Sequence, residues 1–299
     1  MTKMVGNWAG ATASRMGVVF MKVLARLPLP FVRGLGSVLG ALLYAVVVPR
    51  RRVAMRNLEL CFPDWTSRQR RDVVRRHFTY FAQAWLDRSW LWHAHPDVTR
   101  KRIALTGAVD ELAGKDATLV FAPHFVGMDA GWTAITQQVD RKFVGIYTKQ
   151  ANAVVDQWML EGRNRFDSAT PFGRADGVRG LVAALKRGEV MYLLPDMNFG
   201  PEESIFVPFY GVQAATVPSL SRFARLGGAK VVPVVTRLTP TGYEVHVHEA
   251  WPGFPTKDLA ADTTMMNERL QGYIDGMPDQ YWWVHKRFKT RPPGEPALY

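Results

Sequence analysis

The residues with the clearest capacity for chemistry lie in the octet Ala122 to Asp129, which reads APHFVGMD. A histidine follows the apolar run Ala117 to Phe121, and a carboxylate stands five residues after it. A neutral imidazole can take a proton from an alcohol, and a carboxylate on its other ring nitrogen can orient it and stabilise the imidazolium. The spacing predicts this pairing for His124 and Asp129. Backbone N–H groups near Val126 and Gly127 are candidates to face a developing oxyanion. The sequence offers no protein nucleophile: there is no G-x-S-x-G elbow, and the only cysteine, Cys61, lies far upstream and reads as a small buried apolar residue. Direct attack by a substrate hydroxyl on an activated acyl group is the simplest use of such a pair.

Further candidates surround this core. Gly162 to Phe166 (GRNRF) sets Arg163 and Arg165 near one helix end, where guanidinium forks suit phosphate and a solvated helix face is the plain alternative. Leu194 to Gly200 (LPDMNFG) leaves another apolar run, and its Asp196 is placed to orient a basic side chain or cap the turn. His93 with His95, and His246 with His248, have alternate spacing but no evident third ligand, and both pairs read as surface or core polar residues. No metal or cofactor site is expected. Without a Walker loop or Gly-rich phosphate cradle, nucleotide binding is disfavoured.

Apolar runs at 117–122, 142–147, 189–194, 230–236 and 243–248 read as strands. Helices fit near 67–92, 128–138, 151–166, 176–187, 216–227 and 262–275, with Ser67 a candidate cap. This alternation predicts an α/β fold, a central and largely parallel sheet flanked by helices. A site outside the carboxyl ends of its strands would place His124 well.

The first fifty residues differ. Gly34 to Val48 carries no charge and stops at Pro49 and Arg50-Arg51-Arg52. As a helix it would run about 22 Å, short of the roughly 30 Å of bilayer hydrocarbon unless Pro30 to Val32 extend it and Arg33 snorkels. Met16 to Leu27 is apolar with Lys22 and Arg26, as in an interfacial helix. The expected organisation is a helical membrane-attachment segment over 1–50 and one α/β domain over 51–299, with the arginines facing cytoplasm and anionic lipid. The net charge of +12 favours acidic partners: nucleic acid, anionic headgroups or an acidic carrier protein. No basic motif interleaved with aromatics supports the first.

His124-x4-Asp129 resembles the H-x4-D/E signature of the lysophospholipid-acyltransferase-like superfamily. With GRNRF, KRGE leading to PDMNFG (186–200), IFVPF (205–209) and above all YWWVHKRFKTRP (281–292), the chain resembles the late acyltransferases of lipid A biosynthesis along nearly its whole length. The resemblance implies a glycerolipid-acyltransferase-like fold and an enzyme on the cytoplasmic face of the inner membrane. It implies an acyl carrier protein thioester as donor and a hydroxyl on a Kdo-bearing lipid A precursor as acceptor. His124 would be the base, Asp129 its partner, Arg163 and Arg165 would hold the lipid or transition state, and Asp196 would support the site. Three departures stand out: Asp129 where Glu is common, Thr148 to Asn152 (TKQAN) without the usual arginine, whose role would pass to Lys149, and Asn198 for a second acid. Competing readings are the same transfer to a lysophospholipid, ornithine lipid or glycolipid, and a non-catalytic membrane-surface binding protein.

Overall fold

The computed structural model describes residues 2–173 and 177–299, with side chains in the first helix from residue 11 onward. Helices α1 (Thr2–Leu24), α2 (Leu29–Val46), α3 (Val48–Cys61), α4 (Ser67–His93) and α5 (Pro96–Arg102) precede the sheet. Strands β1 (Ile103–Gly107), β2 (Thr118–Phe121), β3 (Phe143–Tyr147), β4 (Ala169–Gly173) and β5 (Val190–Leu193) then alternate with α6 (Met128–Gln138), α7 (Ala153–Arg163) and α8 (Val178–Lys186). A hairpin, β6 (Ile205–Phe209) and β7 (Val212–Thr216), leads to α9 (Ser219–Gly227), β8 (Lys230–Thr239), β9 (Gly242–Val247) and α10 (Leu259–Asp275).

Seven strands form one sheet in the order β1-β9-β8-β2-β5-β3-β4. All neighbours run parallel except β8 and β9. β2 and β5 are wholly buried, as strands covered on both faces must be, and this makes them continuous apolar runs in the sequence. The expected α/β sheet is therefore present. The edge strands β1 and β4 and the β6–β7 hairpin were not read as strands. β1 and β4 are largely exposed or half-buried, with mixed composition and a proline in β4. The hairpin pairs only with itself.

Thr66, not Ser67, caps α4. Its hydroxyl accepts from the Gln69 N–H at 3.2 Å while the Gln69 side chain accepts from the Thr66 N–H at 2.8 Å, a complete capping box.

The N-terminal helices are packed onto the sheet body. Along α2, Gly36 and Gly40 lie against α4 so closely that a Cβ on Gly40 would stand 2.5 Å from Thr79 Cα. Arg33 does not snorkel. It is buried, pairs with Asp87 of α4 at 2.8 Å, and donates to the carbonyls of Thr239 at 3.3 Å and Gly242 at 3.2 Å. Tyr243 and Trp90 also donate to Asp87, at 2.6 and 2.9 Å, so the buried charge pair is saturated with donors. Residue 50 lies within α3.

The opposite faces of α1 and α2 expose Met16, Val19, Phe20, Val23, Phe31, Val38, Leu42 and Val46. α2 is long and apolar enough to cross a membrane by length and composition, with 18 residues and a mean hydropathy of 1.6. Its packing along α4 fixes one side of it to protein, leaving an apolar stripe on the other.

Candidate active site

The site is built where two central strands end. β2 and β5 run parallel with Phe121 opposite Leu193, so the segments Ala122-Pro123-His124 and Leu194-Pro195-Asp196 leave the sheet side by side. The Ala122 N–H still bonds the Leu193 carbonyl at 2.9 Å, which carries the pairing one residue past the strands. Asp196 then accepts twice from His124: from its backbone N–H at 3.0 Å and from Nδ1 at 2.6 Å. Asp196 is wholly buried. Burial alone would raise its pKa, yet the His124 charge and the hydrogen bonds from His124 outweigh it, and the carboxyl sits below its usual value. An ionised carboxylate only accepts, so the His124 proton resides on Nδ1 and Nε2 is the nitrogen left for a substrate proton.

Asp129 is not the partner of His124. It sits in the first turn of α6, buried, and its two oxygens carry two guanidiniums. Arg88 of α4 approaches Oδ2 at 2.7 Å and Arg163 of α7 approaches Oδ1 at 2.9 Å. Desolvation would raise the pKa of Asp129, but Arg163 and Arg88 hold it down at about 2. The expected His124–Asp129 contact is replaced because β5 brings Asp196 beside His124, while Asp129 is one helical turn on and already filled by arginines. Asp129 instead fixes Arg163 at the edge of the site.

The remaining sequence candidates separate. Arg163 lines the same cavity as His124, with its guanidinium 6.0 Å from the Tyr147 ring centre. Arg165 faces away: it donates to the carbonyls of Leu91 and of Ala94, the latter at 2.6 Å, and so closes the C-terminal end of α4. Lys149 is not among the lining residues, although its neighbours Thr148 and Gln150 are. The Val126 N–H donates to the Gln280 carbonyl at 2.9 Å, which removes it as an oxyanion donor and leaves Gly127 of that pair. His246 of β9 and His248, just past the end of that strand, have ring centres 4.6 Å apart, and Thr106 Oγ1 lies 3.1 Å from His246 Nδ1. No group of three His, Cys, Asp or Glu side chains that could hold a metal occurs among the described residues.

Sequence reasoning missed one residue that the site depends on, and one contact. Arg88 lay unmarked in the long apolar pattern of α4. The link between His124 and Asp196 did leave a signal: both follow an apolar strand and a proline, Ala122-Pro123-His124 and Leu194-Pro195-Asp196.

The C-terminal segment locks both loops. Trp282 N–H donates to the His124 carbonyl at 3.1 Å, and Phe125 forms an isolated bridge with Tyr281. On the other loop, the Asn198 N–H donates to His285 Nε2 at 3.1 Å. Asn198 Nδ2 donates to the Arg287 carbonyl at 3.2 Å, and its Oδ1 accepts from Gly200 N–H and Thr290 Oγ1, each at 3.0 Å. An aspartate there would lack the donor for Arg287, which accounts physically for an amide at this position.

His124 opens on a cavity of about 710 Å³. Its wall is mainly apolar and aromatic, with Met128, Trp132, Tyr192, Leu181, Val217 and Phe223 among its members, and it also includes polar side chains such as Thr148, Gln150, Glu202 and Glu203. Gly145 lies on this wall, where a Cβ would stand 3.5 Å from the Trp132 ring. An imidazole on the wall of a largely apolar cavity is an arrangement that could act on a group carried by a long hydrocarbon substituent.

Residues 9–290 match the model of the family described as bacterial lipid A biosynthesis acyltransferase. The chain is 32% identical to the lipid A biosynthesis lauroyltransferase of Escherichia coli K12 over 95% of this chain and 94% of that protein. It is 30% identical to the palmitoleoyltransferase of the same strain, over 95% and 92%, and 29% identical to its myristoyltransferase, over 95% and 89%.

Proposed function

The chain belongs to the bacterial lipid A biosynthesis acyltransferase family and is an acyltransferase; on that premise we propose that it moves a fatty acyl chain from acyl carrier protein to a hydroxyl of a Kdo-bearing lipid A precursor. The observation that carries this reading is the His124–Asp196 pair at the mouth of an apolar cavity beside Arg163. The acyl tail lies among the apolar wall residues and presents its thioester carbonyl to His124. Nε2 takes the proton of the acceptor hydroxyl as its oxygen attacks that carbonyl. The tetrahedral intermediate collapses, the carbon–sulfur bond breaks, and the imidazolium returns its proton to the departing sulfur, leaving ester and free thiol. Asp196 keeps Nδ1 protonated and stabilises the imidazolium between the two transfers. Arg163, steadied by Asp129, stands where it can hold a lipid anion or developing negative charge. No acyl-enzyme forms on this route.

The exposed apolar stripe of α1 and α2 supports attachment in the plane of a membrane, with the site facing the cytoplasm where acyl carrier protein and precursor meet. The charge of +12 suits both the acidic carrier and an anionic acceptor. The test is incubation of purified enzyme with acyl carrier protein thioester and each of four acceptors: Kdo-lipid A precursor, lysophospholipid, ornithine lipid and glycolipid. Product on the first supports the reading. Product only on another acceptor overturns it while keeping the chemistry.

A further inference from the structure

A second cavity, of about 740 Å³, opens at the turn between α1 and α2. It is separate in composition from the cavity of His124, sharing none of its lining residues. Its charged and titratable members are Lys22, Arg26, His93, His95 and Arg102, and no carboxylate lines it. Three acids act around it, and Asp87, whose charge acts on Arg102, is paired with Arg33 at 2.8 Å. Asp97 pairs with His95 at 3.2 Å on the exposed side, and Glu161 accepts from Gln157 at 2.8 Å. Basic groups outnumber acids here: burial lowers the His93 pKa, and the charges of Lys22 and Arg165 lower it further against the opposing charge of Glu161. His93 Nε2 accepts from Trp158 Nε1 at 2.8 Å, so its remaining proton sits on Nδ1 as a donor. Arg102 also lines the cavity, with its guanidinium 5.2 Å from the Trp90 ring centre.

The position of this cavity narrows the anion. Lys22 lies in the last turn of α1, whose outer face exposes Val19, Phe20 and Val23; Arg26 lies in the turn that follows, and Phe31 is exposed just beyond it. Apolar side chains that enter a bilayer to the acyl boundary would leave this turn at headgroup depth. We propose that the cavity at the α1–α2 turn binds a phosphate group, supplied by the headgroup of an anionic membrane lipid, through Lys22, Arg26 and Arg102. Bound there, a headgroup fixes the depth and rotation of the enzyme on the membrane independently of catalysis. The lipid source of the phosphate rests on the membrane attachment proposed above; the cavity's affinity for phosphate does not.

The test is vesicle flotation of the full chain with phosphatidylcholine alone and with about one-fifth phosphatidylglycerol. Wild type is expected to bind the anionic vesicles about thirty-fold more tightly through the two residues removed next, at roughly 1 kcal/mol for each basic side chain. Lys22→Ala with Arg26→Ala should lose that preference and keep binding to phosphatidylcholine. Arg100→Ala with Lys101→Ala removes the same charge from exposed α5 positions outside the cavity and should retain most of it. Equal loss in both double variants, or no anionic preference in wild type, overturns the proposed lipid site. Binding of wild type to neither vesicle would instead reject membrane attachment. A glycerol 3-phosphate titration followed by the His93 ring resonances then decides the cavity: a saturable shift absent from Lys22→Ala/Arg26→Ala supports a soluble phosphate ligand, and no shift overturns the site.

Discussion

Asp196→Asn is the substitution that separates this account from one in which Asp129 orients His124. The carboxylate accepts both the His124 backbone N–H at 3.0 Å and Nδ1–H at 2.6 Å, on different oxygens. An amide of the same shape has one acceptor. If its oxygen keeps the backbone N–H, its NH2 faces Nδ1 and selects the tautomer with the proton on Nε2, which cannot accept a proton from the acceptor hydroxyl. If it turns over, the backbone N–H loses its partner and the turn that carries His124 loosens. Either way the base is lost as a base, worth roughly 10²- to 10⁴-fold in rate, or about 3–5 kcal/mol of barrier. The assay is acyl transfer from a carrier-protein thioester, with kcat and KM separated and folding checked by thermal melting. The expected result is a fall of that size in kcat, little change in KM, and a melting profile near wild type. Retention of activity within about threefold would refute the reasoning.

Three further outcomes follow from the packing and charge. Asp129→Asn leaves the buried Arg88 and the partly exposed Arg163 sharing one acceptor and should destabilise the fold by about 3–5 kcal/mol. Because the folded pKa of Asp129 lies below the ordinary carboxylate value, its charge contributes stability above about pH 4 that is lost as pH falls toward about 2; urea unfolding across that window should show the stability gap between wild type and Asp129→Asn narrowing. Gly40→Val forces a branched side chain where even a Cβ would be 2.5 Å from Thr79 Cα, and calorimetry should show a loss of about 1–3 kcal/mol. Gly145→Val narrows the cavity against Trp132, and mass spectrometry of products from a donor series should show preference moving to shorter chains, at roughly 1–3 kcal/mol of discrimination per methylene.

The legibility of the fold followed burial. β2 and β5 are covered on both faces and appear as unbroken apolar runs, and α6 was bounded correctly at 128–138. β1 and β4 lie at the sheet edges, where half-exposed positions admit polar residues and proline, and local pattern fades. The site divided in the same way. His124 was evident from its place after an apolar run, and so was the candidacy of Asp196. Their contact was not, because it depends on which strands are neighbours, and β2 and β5 are separated by two strands and three helices in the chain. Five-residue spacing pointed to Asp129 only because sequence distance stood in for spatial distance. Arg163 and Arg165 are two residues apart yet meet different partners, a carboxylate at the cavity and carbonyls at the end of α4. Arg33 carries the same lesson: in an apolar stretch it read as a snorkelling residue, while its partner Asp87 lies 54 positions on.

The central claim is that His124 removes the proton from the acceptor hydroxyl. Its most direct test is His124→Ala in the acyl carrier protein and Kdo-lipid A precursor assay, read as ester product by mass spectrometry on protein with wild-type melting behaviour. The account predicts loss of at least about a hundredfold in kcat, with no acyl-protein adduct in either form when the acceptor is withheld. Turnover within about tenfold of wild type, or a covalent acyl-protein adduct in the wild type that the acceptor discharges, would contradict it.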